Sequence, residues 1–191
     1  MVEIYRIIYP KEMNHDHLPS RVGITLITGS RSYTHRRMHA LIVELALAGP
    51  VKVLIGGRHY DHYGVNYALA MVAPHYYEQI LDKHIRLSRA ETCYQMVELL
   101  SQTQADVVPS LVLDLLTPFY DESIPDGEIN QLLFEAILAL QRLSQSAVIF
   151  VSSHAGQNRP RLLKVLENAL DRVEYPQGNP PQPVLQPALI R

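Results

Sequence analysis

Three groups of residues in this chain have types and spacings that could do chemistry. The first is Gly29-Ser30-Arg31-Ser32-Tyr33-Thr34-His35-Arg36-Arg37, where Arg31, His35, Arg36 and Arg37 gather positive charge as an apolar run gives way to a helical pattern. A helix N-terminus presents free N–H groups and the positive end of the helix dipole, so such a segment draws anions. Solvated surface charges that meet no phosphate are the alternative. The second is Asp114 in VPSLVLDLL. A carboxylate among valines and leucines is costly to bury unless it is paired or hydrogen-bonded, so it belongs near a strand's end with a structural or functional task. The third comprises histidines: His15 and His17, His35 and His39, and His59 and His62 beside Asp61. Only His35 and His39 have a spacing that puts two imidazoles on one helix face, and no glutamate follows the first, so no metal site is assigned. The tyrosines from Tyr60 to Tyr67 and at Tyr76-Tyr77 could stack on bases or wedge a helix against a sheet or partner. The lone Cys93 excludes an internal disulfide framework and suits a buried, inert thiol.

The elements that must position these groups follow from hydrophobic period. Short β-branched or apolar runs at Gly23–Thr28, Val51–Ile55, Ile85–Leu87, Leu111–Leu116 and Ala147–Val151 predict buried strands. Helical patterns are expected over Tyr33–Ala48, Tyr63–Val72, Pro74–Leu81, Ala90–Gln102, Ile129–Leu143 and Pro160–Leu170. Gly49-Pro50 ends the first of these, and Pro160 suits a helix's first turn. Alternation of strands with helices predicts an α/β domain with a mainly parallel, twisted sheet flanked by helices. Ligands of such sheets bind beyond the carboxyl ends of the strands, which makes Gly29–Arg36 and Asp114 two halves of one expected site. The expected organisation is an N-terminal strand and loop (1–20, with an edge strand at Glu3–Tyr9), a core domain (21–175) and an extended proline-rich tail (176–191). That tail segment carries five of the 13 prolines, which block helix and central-strand pairing.

Set against the phosphate-binding template G-x-x-x-x-G-K-[ST], Gly29 fits the first position. Thr34 stands at the second glycine, His35 at the lysine and Arg36 at the magnesium-binding hydroxyl. The flexible cradle, the cation that reaches the β- and γ-phosphates and the metal ligand are therefore all replaced.

The order ITLITG, VLIGGRHYDHYGVNYALA, HIRLSRAETCYQMVELL, VPSLVLDLLTPFYDE and AVIFVSS resembles the ATPase core of the RecA/RadA recombinase group, particularly its small bacterial RecA-like members, over roughly residues 21–173. The resemblance implies a RecA-like P-loop NTPase fold, with a degenerate Walker A segment at Gly29, Ser30, Arg31, Thr34, His35 and Arg36 and a Walker B-like Asp114. Gly57 falls at or near the place of the glutamate that polarises the attacking water. The family's two DNA-contacting loops would map onto Phe119–Glu128 and Ser152–Arg159. The first carries Asp121, Glu122, Asp126 and Glu128 and no basic residue, which repels phosphate.

With lysine, hydroxyl and glutamate absent, no catalytic residue is assigned and ordinary hydrolysis is not expected. The expected function is a non-hydrolysing accessory factor in DNA recombination or repair, acting through protein or DNA binding. ATP held without turnover stays open, and no cofactor is assigned. Candidate partners are a recombinase or other protein, single-stranded DNA contacted by Arg37, Arg159 and Arg161 beside Arg31 and Arg36, and further copies of the chain. An ATP-binding, DNA-dependent ATPase in which Arg36 or His35 replaces the lysine is the alternative. A net charge of -2 and a pI near 6.5 give no global basic footprint, so any nucleic-acid contact must be local. No apolar run suits a signal peptide or membrane span, which places the chain in the cytoplasm as an expectation.

Overall fold

A computed structural model of the chain describes residues 22–176. The expected edge strand at Glu3–Tyr9, His15, His17 and the tail beyond Pro176 lie outside the described residues. The elements run β1 (Gly23–Thr28), α1 (Arg31–Ala48), β2 (Val51–Gly56), α2 (His62–Val72), α3 (Tyr77–His84), β3 (Ile85–Ala90), α4 (Cys93–Gln102), β4 (Ser110–Leu113), a 3-10 turn (Thr117–Tyr120), α5 (Asp126–Leu143), β5 (Val148–Ser153), α6 (Arg161–Ala169) and β6 (Arg172–Glu174).

All pairings are parallel, and the six strands lie in the order β3-β2-β4-β5-β1-β6. The chain steps from β1 through β2 to β3 toward one edge, then from β4 through β5 to β6 toward the other. Right-handed crossovers send the helices of opposite runs to opposite faces, and the core divides accordingly. Met38, Leu41 and Ile42 of α1 and Val65 and Leu69 of α2 pack on Ile27, Val53, Ile55, Leu111 and Phe150. Met96 and Leu100 of α4, Leu133, Ala136 and Leu140 of α5 and Leu162 and Leu166 of α6 cover Leu26, Leu54, Val112, Ile149 and Val151 on the other face. Each such leucine contributes about 2 kcal/mol on burial. The interior strand β2 is buried throughout, whereas the edge strand β3 exposes Leu87 together with Arg86, Ser88 and Arg89, charged and polar side chains that suit a sheet edge.

Differences from the sequence expectation lie at element ends. Helix α1 begins at Arg31 rather than Tyr33 because the Ser30 side chain caps it, accepting from the Tyr33 N–H. Strand β4 stops at Leu113 rather than Leu116 because Asp114 takes φ +52°, a left-handed conformation that aspartate tolerates better than most residues. The three-residue β6, which has no apolar run to announce it, is stabilised by pairing with β1.

The order in which strands are added reverses between β3 and β4, and this sets where a ligand can sit. The loop leaving β1 leads to a helix on one face, and the loops leaving β4 and β5 lead to helices on the other. A crevice therefore opens above the carboxyl ends of β1, β5 and β4, the place where open α/β sheets bind ligands. Its floor is tightly packed: a Cβ added to Gly56 at the end of β2 would collide with the Asp114 carbonyl oxygen and lie 3.1 Å from Met96 Cε. Because the first obstacle is backbone, Gly56→Ala is expected to cost about 3 kcal/mol, measured as a lower urea midpoint at an unchanged slope.

Candidate functional site

Asp114 is 2% exposed. Its backbone N–H donates to Ser152 Oγ at 2.9 Å, the Leu115 N–H donates to the Ser152 carbonyl at 3.0 Å, and the Asp114 carbonyl accepts from the Thr117 N–H at 3.0 Å. These bonds fix the left-handed turn against β5 and aim the carboxylate into the crevice. There His35 Nε2, from the second turn of α1, donates to Asp114 Oδ2 at 3.1 Å, and His154 Nδ1, just past β5, stands 3.8 Å from Oδ1. The second separation is too long for a hydrogen bond. Accordingly Asp114 Oδ1 and His154 Nδ1 are both buried without a hydrogen-bond partner among the described residues, as is Ser153 Oγ. Burial pushes the Asp114 carboxyl pKa up, but the flanking His154 and His35 side chains outweigh it and hold the group well below the usual carboxylate range. The site is thus an anion clasped between two imidazoles, each with one ring nitrogen turned to the same carboxylate.

The segment matched to the phosphate-binding template forms no extended loop. Only Gly29 and Ser30 lie between β1 and α1, so Arg31, Thr34, His35 and Arg36 are all helical. Ser30 O accepts from both the Tyr33 and Thr34 N–H groups at 3.0 Å, which uses amides that a phosphate would need. Thr34 is fully buried and its hydroxyl donates to Arg31 O at 3.0 Å. Gly29 has φ +138°, and a Cβ there would meet Pro176 Cδ at 2.9 Å, so a proline covers the one glycine that matched. Gly57 has φ +86° and lies against Thr117.

The other arginines are already paired. Arg37 Nε donates to Glu174 Oε1 at 2.8 Å, and Tyr33 shares that oxygen at 2.9 Å, which pushes its phenol up to about 12 through burial first and Glu174 second. Arg159, 8% exposed, donates to Asp126 Oδ1 and to the carbonyls of Phe119, Asp121 and Ile124. Arg161 is paired with Asp126, and Asn158 reaches Glu122. Tyr120 donates to the His154 carbonyl at 2.6 Å. Of the arginines expected to contact an external anion, Arg159 is enclosed by Asp126 and three carbonyls, whereas Arg37 and Arg161 form partly exposed ion pairs with Glu174 and Asp126. The loops after β4 and β5 are stapled together by these contacts.

His35 and His39 do share a helix face, with ring centroids 6.3 Å apart and planes at 18°. His35 Nε2 is directed to Asp114, however, and among the described residues no group of three or more metal-ligating side chains is arranged to hold an ion. Cys93 is fully buried, which raises its thiol pKa. Among the described residues, no helix is long and apolar enough to cross a membrane. Sequence reasoning missed His154, Ser152 and Glu174, all brought in by strand pairing. No protein-family model matches the chain, and no curated protein matches it.

Asp114→Asn keeps a residue suited to φ +52° and removes only the charge. It is expected to lower stability by about 3 kcal/mol near neutrality. The folded carboxyl pKa lies below its unfolded value of about 4, so this stabilisation is complete above about pH 4 and is lost as pH falls toward the folded value. The difference between wild type and Asp114→Asn in urea unfolding should therefore shrink on acidification. Arg159→Ala is expected to cost about 3 kcal/mol in the same assay, because it leaves the Phe119, Asp121 and Ile124 carbonyls without their donor.

Proposed function

We propose that this chain is a RecA-like, degenerate P-loop domain that works by binding and does not hydrolyse ATP, a non-hydrolysing accessory factor in DNA recombination or repair. One observation carries the loss of hydrolysis: His35, at the position of the phosphate-binding lysine, is bonded to Asp114, at the position of the magnesium-holding carboxylate. A carboxylate oxygen already accepting from His35 is not free to hold a metal ion, and a lysine's reach to the β- and γ-phosphates has no substitute in the shorter imidazole. The two-residue junction and the Pro176 ring over Gly29 support the same reading. So does the strand order, which places Gly29 and Asp114 at the rim of one crevice and departs from the dinucleotide-binding order 3-2-1-4-5-6. The recombination setting rests on the resemblance of IRLSRAETCYQ and LVLDLLTPFYDE to that group.

The test is phosphate release from ATP with magnesium, in the presence and absence of single-stranded DNA, beside equilibrium binding of a fluorescent ATP analogue. No turnover is expected in either condition, and none should appear in His35→Lys, because Thr34 and Arg36 still replace the glycine and the hydroxyl. Magnesium-dependent turnover that disappears in Asp114→Asn would identify the chain as an ATPase with an unorthodox phosphate loop.

A further inference from the structure

An uncharged surface of rings and apolar side chains runs along α2. Tyr63, Tyr67 and Met71 follow one another at four-residue spacing, which sets them on one line of the helix, and all three are exposed, Tyr63 at 85%. Val72 and Tyr76 carry the exposed surface further. The core is held by Val65, Ala68 and Leu69 of α2, so the phenols and the thioether do not serve it. From residue 62 to residue 77 the sequence has no lysine, arginine, aspartate or glutamate. An exposed apolar stripe of this kind marks a docking surface. A row of rings joins it to the crevice: His35, His39, Tyr60, His62 and Tyr63 succeed one another with centroids 6.2–6.4 Å apart.

The chain itself supplies a segment that fits. Residues 177–190, QGNPPQPVLQPALI, are also without a charged residue and carry four prolines, of which Pro180 and Pro183 stand three apart. Proline-rich sequence favours the polyproline II helix, which turns once in three residues, so those two rings share a face. That helix makes no internal hydrogen bonds, and an aromatic surface receives it with rings against the prolines and hydroxyls against the free carbonyls. A charged partner would find no counter-charge on α2. The point of departure is fixed as well: Pro176 lies over Gly29, and the Tyr33 hydroxyl of α1 donates to the Tyr175 carbonyl at 3.3 Å. Tyr33 and Tyr60 pack on one core cluster, whereas α5 packs on the other, so the segment sets out on the face of the sheet that carries α1 and α2. Between β1, beside which it starts, and β2, which leads into α2, lie β5 and β4, a lateral distance of about 15 Å. Polyproline II advances about 3.1 Å per residue, so about five residues cross this distance and the rest are free to lie along α2.

We propose that residues 177–190 dock on this surface of their own chain, with prolines against Tyr63 and Tyr67 and the apolar residues after Pro183 against Met71 and Val72. On this path the segment crosses the carboxyl ends of β5 and β4, above the crevice that holds Asp114, so the chain covers its own candidate site. The inference goes beyond the proposed function and does not depend on the absence of ATP turnover.

The experiment is paramagnetic broadening of amide resonances in the full chain carrying a nitroxide at Leu185→Cys. The natural thiol, Cys93, is fully buried, so the label goes to the introduced one. Loss of peak intensity is expected over residues 63–72 and not around Phe134 and Leu138 of α5, on the opposite face of the sheet. Joint Tyr63→Ala and Tyr67→Ala, both at exposed positions, should restore the Val65 and Ala68 peaks, and joint Pro180→Gly and Pro183→Gly should restore them in part by making the free segment more costly to order. Thermal transitions of the variants report that they fold. A mixture of nitroxide-labelled chain with isotope-labelled chain lacking the nitroxide should show no broadening. Broadening in that mixture would assign the surface to a second copy and overturn the proposal. Unbroadened α2 peaks, equal broadening on α5, or broadening that survives the loss of both tyrosines would overturn it too.

Discussion

A carboxylate that must be buried is the constraint on which the carboxyl-terminal end of this sheet depends. Asp114 follows directly on four fully buried residues of β4, and burying its charge unaided would cost several kcal/mol. The fold meets this in three ways. The left-handed turn is held by Ser152, one imidazole is supplied by α1, and a second comes from the loop after β5. His35 comes from the unit that follows β1, and Ser152 and His154 both come from β5 and its exit, so holding the charge also fixes the placement of the segments after β1, β4 and β5.

In the function proposed above, the same interaction is what separates this crevice from a working phosphate site. Catalysis of phosphoryl transfer needs donors and a metal that are held ready and unspent until the substrate arrives. Here the donors are already engaged: the Tyr33 and Thr34 amides by Ser30, His35 by Asp114, Arg37 by Glu174 and Arg159 by Asp126 and three carbonyls. Internal satisfaction of this kind ties the rim to itself, through bonds that link α1 to β4 and β6 and the loop after β4 to the loop after β5.

The parallel α/β architecture was legible in the sequence because its signals are local. GITLIT, VKVLI and the stripe of α5 state their period within a few residues, and Asp114 could be placed near a strand's end from the cost of its burial alone. The failed match at Thr34, His35 and Arg36 was legible too, since it needs only residue identity. The shortness of the junction after β1 was not, because the strength of the Ser30 cap decides where the helix begins.

What the sequence determined by itself is therefore the class of fold, the position of the buried acid and the mismatch of Thr34, His35 and Arg36 to the phosphate-binding template. Only the tertiary structure decided which charges remain available. His35 and His154 are far from Asp114 in the chain and meet it because β5 lies between β1 and β4. Glu174 reaches Arg37 because β6 pairs with β1, and Arg159 is enclosed because the two rim loops close on it. Hydrophobic period is written in neighbouring residues, whereas the partner of a charge is set by strand order, and strand order is a property of the packed sheet.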